Sequence, residues 1–106
     1  MIYVFDIDGT ICNNTDSDYD NAKPFRNRIE KNNNLYDEGH TIIYQTARGM
    51  GRTNNNVVKS YKLFYQYTYN QLKRWDVKFH DLFLGKPNGN IYIDDKGVRD
   101  EDFFTD

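Results

Sequence analysis

Two acids, Asp6 and Asp8, stand one residue apart directly after the apolar run Ile2–Phe5, and Gly9-Thr10 follows them. Carboxylates this close repel one another unless a cation lies between them. At a strand end alternate residues share a face, so Asp6 and Asp8 can both turn toward one substrate. Three further positions carry complementary chemistry: Thr46 at the end of HTIIYQT, Lys86 in a Gly-Lys-Pro turn, and Asp94-Asp95 at the end of NIYID. Carboxylates suit a hard divalent cation, while Thr and Lys suit phosphate oxygens, so the set is the one expected of a magnesium-phosphate site. The charge distribution agrees, since the first twenty residues hold five Asp and no Lys or Arg.

The elements that must position these residues follow from the pattern. MIYVFD reads as a short buried strand, and ICNNTDSDYDNAK as a polar loop. A helix is predicted from Pro24, with Phe25, Ile29 and Tyr36 at helical spacing and Gly39 as its stop. HTIIYQT is a second strand, followed by the loop ARGMGRTNNN. A longer helix spans about Asn55 to Trp75, with an apolar stripe from Val57 through Tyr61, Phe64, Tyr65, Thr68 and Leu72. VKFHDLFL is a third strand candidate and NIYID a fourth. The asparagine clusters at 32 to 34 and 54 to 56 are expected to mark a helix end and a helix start. This alternation predicts an α/β fold in which a parallel sheet carries helices. Ligands of such sheets bind at the carboxyl ends of the strands, where Asp6, Thr46 and Asp94-Asp95 all fall.

In that order, Asp6-Ile7-Asp8-Gly9-Thr10, Thr46, Lys86 and Asp94-Asp95 resemble the four motifs of the haloacid dehalogenase (HAD) superfamily, from residue 2 to about residue 97. The resemblance implies a Rossmann-like fold with about four parallel strands in the order 3-2-1-4. It implies that Asp6 is a nucleophile forming an aspartyl-phosphate and that Asp8 is the general acid and base. Magnesium would be held by Asp6, the Asp8 backbone carbonyl and Asp94, with Asp95 acting through a metal-bound water. Manganese suits the same oxygen ligands. Thr46 and Lys86 would bind the phosphoryl group, and Gly9 and Thr10 would let backbone N–H groups cradle it. In this superfamily an acid two residues after the nucleophile marks phosphatases, so the reaction implied is phosphate-ester hydrolysis. The short form with TARG and IDDK is similar to proteins of surface-sugar biosynthesis, which points to a sugar phosphate. The alternatives are a phosphatase of nucleotides or nucleic-acid ends, a phosphotransferase of the mutase kind, and a non-catalytic module that binds a phosphorylated ligand.

Chain length sharpens the expectation. Residues 1 to 106 suffice for one domain with a modest core and leave no room for a cap over the site. An uncapped site calls for a substrate large enough to close it, or for a homo-oligomer whose neighbour serves as lid. Eleven residues after Asp95 are too few for a further helix and strand, so an exposed sheet edge that dimerisation could cover is expected. A net charge of -2 gives no electrostatic case for nucleic acid or an anionic membrane, despite Lys59, Lys62, Lys73 and Arg74 on the long helix. The single Cys12 excludes an internal disulfide and, with no leader or membrane-length apolar run, fits a cytoplasmic protein.

Other features weigh less. DSDYDN at 16 to 21 has the opening spacing of a calcium loop, yet Asn21 stands where glycine is required and Asn27 where Glu closes the loop. His40 and His80 have no Cys or His at ligand spacing. Arg48 and Arg52 follow Thr46 in a loop expected to border the cleft, where each is either solvated or bound to a second anionic group of the substrate.

Overall fold

The β-branched and aromatic runs form strands and the periodic segments form helices, in the alternating order predicted. The computed structural model describes residues 1–105 and contains β1 (Ile2–Phe5), α1 (Arg26–Asp37), β2 (Thr41–Thr46), α2 (Val57–Arg74), β3 (Asp81–Leu84) and α3 (Asp100–Phe104). The long polar loop after β1 holds only a single 3-10 turn, Tyr19–Asn21. Neither that loop nor the one after β2 carries a cap among the described residues.

The cluster at 54 to 56 begins a helix as expected. The Asn56 side chain accepts a hydrogen bond from the Lys59 N–H at 3.0 Å and caps α2, while Lys73 and Arg74 sit in its last turn against the negative end of the helix dipole. The cluster at 32 to 34 does not end α1. Asn32 lies inside the helix, fully buried, and donates to the Tyr44 hydroxyl at 3.0 Å, so this asparagine serves the core.

β2 is the central strand and pairs in parallel with β1 on one side and β3 on the other. Tyr3 aligns with Ile42, Phe5 with Tyr44 and Leu82, and Thr46 with Leu84. Because side chains alternate, these rows share one face, and Ile29 of α1, Leu72 of α2 and Phe104 of α3 join them in a single buried cluster. The opposite face is open, with Ile2, Val4 and Phe83 exposed and Ile43 and Gln45 half-buried. Parallel sheets are ordinarily covered on both faces, so this apolar face stands out.

The expected fourth strand is not formed. NIYID carries no strand among the described residues, which hold a sheet of three in the order β1-β2-β3 and leave the outer edge of β1 unpaired. Every residue from 87 to 99 is instead exposed, including Ile91 and Ile93. The physical reason is the connection. A parallel neighbour requires a crossover of roughly a dozen residues or more, whereas only residues 85–89 separate β3 from NIYID. α3 is a further difference: the last residues do form a short helix, anchored by the Arg28–Asp100 ion pair at 2.7 Å and a Lys31 hydrogen bond to the Phe103 carbonyl. No helix among the described residues is long and apolar enough to cross a membrane.

Candidate active site

β1 ends at Phe5, so Asp6 emerges at the carboxyl end of the sheet, and the chain turns sharply at once. The Thr10 and Ile11 N–H groups both donate to the Ile7 carbonyl, and the Gly9 N–H to the Cys12 carbonyl. Gly9 sits at φ +83° with no atom near its would-be Cβ, so backbone conformation rather than space requires glycine there. The turn brings Asp6 and Asp8 to the same cleft, an open cavity of about 370 Å³ that also takes in Arg48, Arg52 and Lys86.

Lys86 reaches this place because its backbone N–H donates to the Thr46 carbonyl at 3.3 Å. Its ammonium lies 3.7 Å from an Asp6 carboxylate oxygen and 4.4 Å above the Tyr92 ring. Burial pushes the Asp6 carboxyl above its ordinary range; the Lys86 charge and the Ile7 N–H pull it back, and the Asp8 charge adds to the rise.

Arg48 is the residue whose role the sequence concealed. It is neither solvated nor free to greet a ligand: its side chain is 1% exposed and forms a bidentate fork on Asp8, Nε to Oδ2 at 2.9 Å and Nη2 to Oδ1 at 3.0 Å. Nη1 donates to the Thr68 hydroxyl at 3.3 Å, and the guanidinium stacks 4.4 Å from the Tyr19 ring centroid. Arg48 therefore fixes the rotamer of Asp8, from forty residues downstream, a pairing that no local spacing reports. Arg52 remains the cleft's exposed cation, lying 5.1 Å over the Phe64 ring.

The remaining predicted residues divide. Thr46 is buried, and its hydroxyl accepts the Arg48 N–H at 3.1 Å, which shapes the loop bordering the cleft. Gly9 and Thr10 do not line the cleft with Asp8, and both their N–H groups are taken up within the turn, contrary to a phosphate-cradling role. Asp94 and Asp95 are exposed on the 87–99 segment. The Lys96 N–H donates to Asp94 at 2.9 Å and holds that carboxyl below its usual range. Among the described residues no three acids, cysteines or histidines gather as a metal site, because Asp94 does not join Asp6 and Asp8. The donor set for magnesium is thus incomplete within one chain as folded here.

Cys12 lies beneath the site, fully buried, with its Sγ 3.6 Å from an Asp8 oxygen. Desolvation, reinforced by the Asp8 charge, raises the thiol to about 12. The thiolate is the reactive form, so the native protein is expected to resist iodoacetamide at pH 8 and to react once unfolded. Labelling of native and denatured protein at equal rates would contradict this placement.

Comparison with known structures is consistent with this architecture. No protein-family model and no curated protein matches the sequence. A crystal structure of a Vibrio cholerae target protein superposes with a TM-score of 0.88 at 30% identity, over 98% of this chain and 87% of the other. The chain belongs to the family of that protein. Membership of that family conveys no reaction by itself. A second crystal structure, the D,D-heptose 1,7-bisphosphate phosphatase of B. bronchiseptica complexed with magnesium and phosphate, superposes with a TM-score of 0.55 at 14% identity. The match covers 92% of this chain and 53% of that one, so this chain spans about half of its length. At that identity the likeness establishes the fold, which is HAD-like.

Proposed function

We propose that the protein is a magnesium-dependent phosphomonoester hydrolase that works through an aspartyl-phosphate on Asp6 and acts on a small phosphorylated metabolite of the sugar-phosphate class. The observation that supports this most is the convergence of Asp6, Asp8 and Lys86 in one cleft at the carboxyl end of β1, with a lysine ammonium 3.7 Å from the nucleophile. The HAD-like fold shared with a sugar bisphosphate phosphatase holding magnesium and phosphate supports the same reaction class.

The chemistry assigns each side chain a task. An Asp6 oxygen attacks phosphorus, the bond to the leaving alcohol oxygen breaks, and Asp8 delivers the proton that oxygen needs. Water then attacks the acyl-phosphate, Asp8 takes its proton, and the P–O bond to Asp6 breaks to release inorganic phosphate. Lys86 places positive charge against the phosphoryl oxygens. Arg48 holds Asp8 in register for both proton transfers without touching the substrate. Arg52 is the cation available to a second anionic or hydroxyl-rich portion of the substrate.

Phosphate release over panels of sugar phosphates, nucleotides and end-phosphorylated oligonucleotides, with magnesium and with chelator, tests the reading. Turnover on sugar phosphates that chelation abolishes is the expected result. Preference for oligonucleotide ends, with a KM that climbs steeply with salt, would favour the nucleic-acid alternative. Within the active panel, Arg52→Ala is expected to raise KM several-fold with kcat little changed. A fall in kcat at constant KM would remove Arg52 from ground-state binding.

A further inference from the structure

The missing fourth strand and the missing third carboxylate are one problem with a geometric answer. Suppose NIYID lay parallel to its own β1 with Asp94 level with Asp6. Asn90 would then be level with Ile2, at the far end of the sheet. The Lys86 N–H is tied to the Thr46 carbonyl, and Thr46 is one position above the level of Asp6 in the register. Crossing down about five residue levels and across two strand spacings covers about 19 Å. The four steps from Lys86 to Asn90 reach at most about 14 Å when fully extended. The chain cannot place this strand beside its own β1. An antiparallel strand would be within reach, but it would carry Asp94 to the wrong end of the sheet.

The rest of the molecule is prepared for the parallel strand all the same. The unpaired edge of β1 borders a cavity of about 1510 Å³, lined by Ile2 and Val4 on the strand side and, with no strand pairing between them, by Ile91, Asp94 and Val98 of the chain's own arm on the other. The seat of α3 lies at the carboxyl end of β1, where Arg28 bridges the Thr10 carbonyl at 3.0 Å and Asp100 at 2.7 Å. That is where a strand parallel to β1 and ending at Asp94-Asp95 would deliver the chain, five residues before Asp100. In the single chain α3 takes this seat alone and leaves the strand's place empty; strand and helix occupy the edge together only when both come from a second copy, because reach denies the strand to its own chain. Once the chain's own arm has left, the 87–99 arm of a second copy, exposed throughout in the single chain, has the apolar residues Ile91, Tyr92 and Ile93 to fill the space beside β1. The superposition on the Vibrio protein spans 98% of the chain, so the arm falls within the shared architecture.

We infer that the protein is a reciprocal arm-exchanged dimer, in which residues 90–105 of each copy dock along β1 of the other and supply Asp94 to the partner's Asp6 and Asp8. The hinge is Gly85 to Gly89. Gly85 adopts φ +95° against Val57, whose Cγ1 would lie 2.9 Å from an added Cβ, so the chain's departure from β3 is set by a residue that only glycine fits. Exchange through a short hinge is the ordinary route to such dimers. It pairs the β1 edge and explains why a site with two acids is incomplete in one chain. The inference rests on the proposed metal site at Asp6 and Asp8 for the meaning of Asp94, but not for the exchange itself.

Two readouts separate the possibilities. By light scattering the wild type is expected at twice the 12.6 kDa chain mass, and a flexible insert of about twelve residues after Pro87, long enough for a crossover in cis, is expected to give a monomer. A monomeric wild type, or a dimer that the insert leaves intact, would overturn the exchange whatever the activity. For the shared site, Asp6→Asn and Asp94→Asn are each expected to be inactive alone. Refolded together from denaturant, they are expected to recover about a quarter of wild-type turnover, because half the dimers are mixed and each mixed dimer has one intact site of two. No recovery, in dimers shown to have mixed, would place Asp94 in its own chain's site. A wild type that is dimeric and insert-sensitive yet turns over no phosphate ester would defeat the proposed function and leave the exchange standing.

Discussion

Asp6→Asn is expected to lower phosphate release by at least about 10³-fold while raising thermal stability. The loss follows, under the proposed mechanism, from removing the group that would bond to phosphorus; Asn keeps the shape but is no nucleophile. The gain follows from the environment of the carboxylate. Burial and Asp8 together disfavour the charged form of Asp6 more than Lys86 favours it, so its folded-state affinity for a proton is raised. A carboxyl raised in this way stabilises the fold where it is protonated and ceases to do so as pH rises through its folded value. At neutral pH the metal-free wild type therefore carries a destabilising charge that Asn lacks, a cost of the kind that functional sites commonly impose. The difference in Tm between the two proteins should shrink as pH falls and the wild-type carboxyl takes up its proton. Melting curves in chelator at several pH values, beside single-turnover assays, check both halves. A mutant as active as wild type would end the aspartyl-phosphate reading, and a mutant that melts lower at neutral pH would contradict the electrostatic account.

Arg48→Ala is expected to cost about 3 kcal/mol of stability, the range found when one partner of a buried ion pair is removed. For a domain of this size that is on the order of 10 °C or more in Tm. Three connections are lost at once: the fork on Asp8, the Thr68 hydrogen bond and the stack on Tyr19. Asp8 is left without its counter-charge and without the contact that sets its rotamer. Under the proposed mechanism turnover should fall mainly in kcat, because the proton-transfer group is misplaced while Lys86 and Arg52 stay in the cleft to meet the substrate. Arg48→Lys should recover little, since an ammonium cannot make the two parallel N–H···O contacts of a guanidinium. A Tm within a degree or two of wild type would show that the ion pair is not held in solution. An effect confined to KM would return Arg48 to the substrate-contacting role that its loop position first suggests.

These two residues also mark the boundary of what could be read without coordinates. Asp6 and Asp8 were legible because the signal is local: an apolar run sets a strand, the strand sets a face, and the next two acids fall at its carboxyl end. Lys86 was legible for the same reason, following directly from a recognisable strand; Thr46 was legible as a strand end, but not as a buried hydroxyl that accepts the Arg48 N–H outside the cleft lining. Helix limits were local too, as the Asn56 cap shows. Arg48 was not, since its partner lies forty residues away and a loop arginine looks the same in sequence whether it faces water or a buried carboxylate. Asn32 misled in the same way, as an apparent helix breaker that the Tyr44 hydroxyl holds in the core.

The fourth strand is the clearest division between the two levels. By composition NIYID is as good a strand as IYVF, and its apolar alternation and terminal acids are intrinsic to the chain. Sequence alone determined the α/β alternation, the strand that carries the paired acids and the lysine that meets them. Tertiary structure alone decided whether NIYID can join the sheet, because that depends on the distance between the top of β3 and the bottom of β1 and on five connecting residues too short to span it. Propensity belongs to a segment; reach and burial belong to the assembled fold.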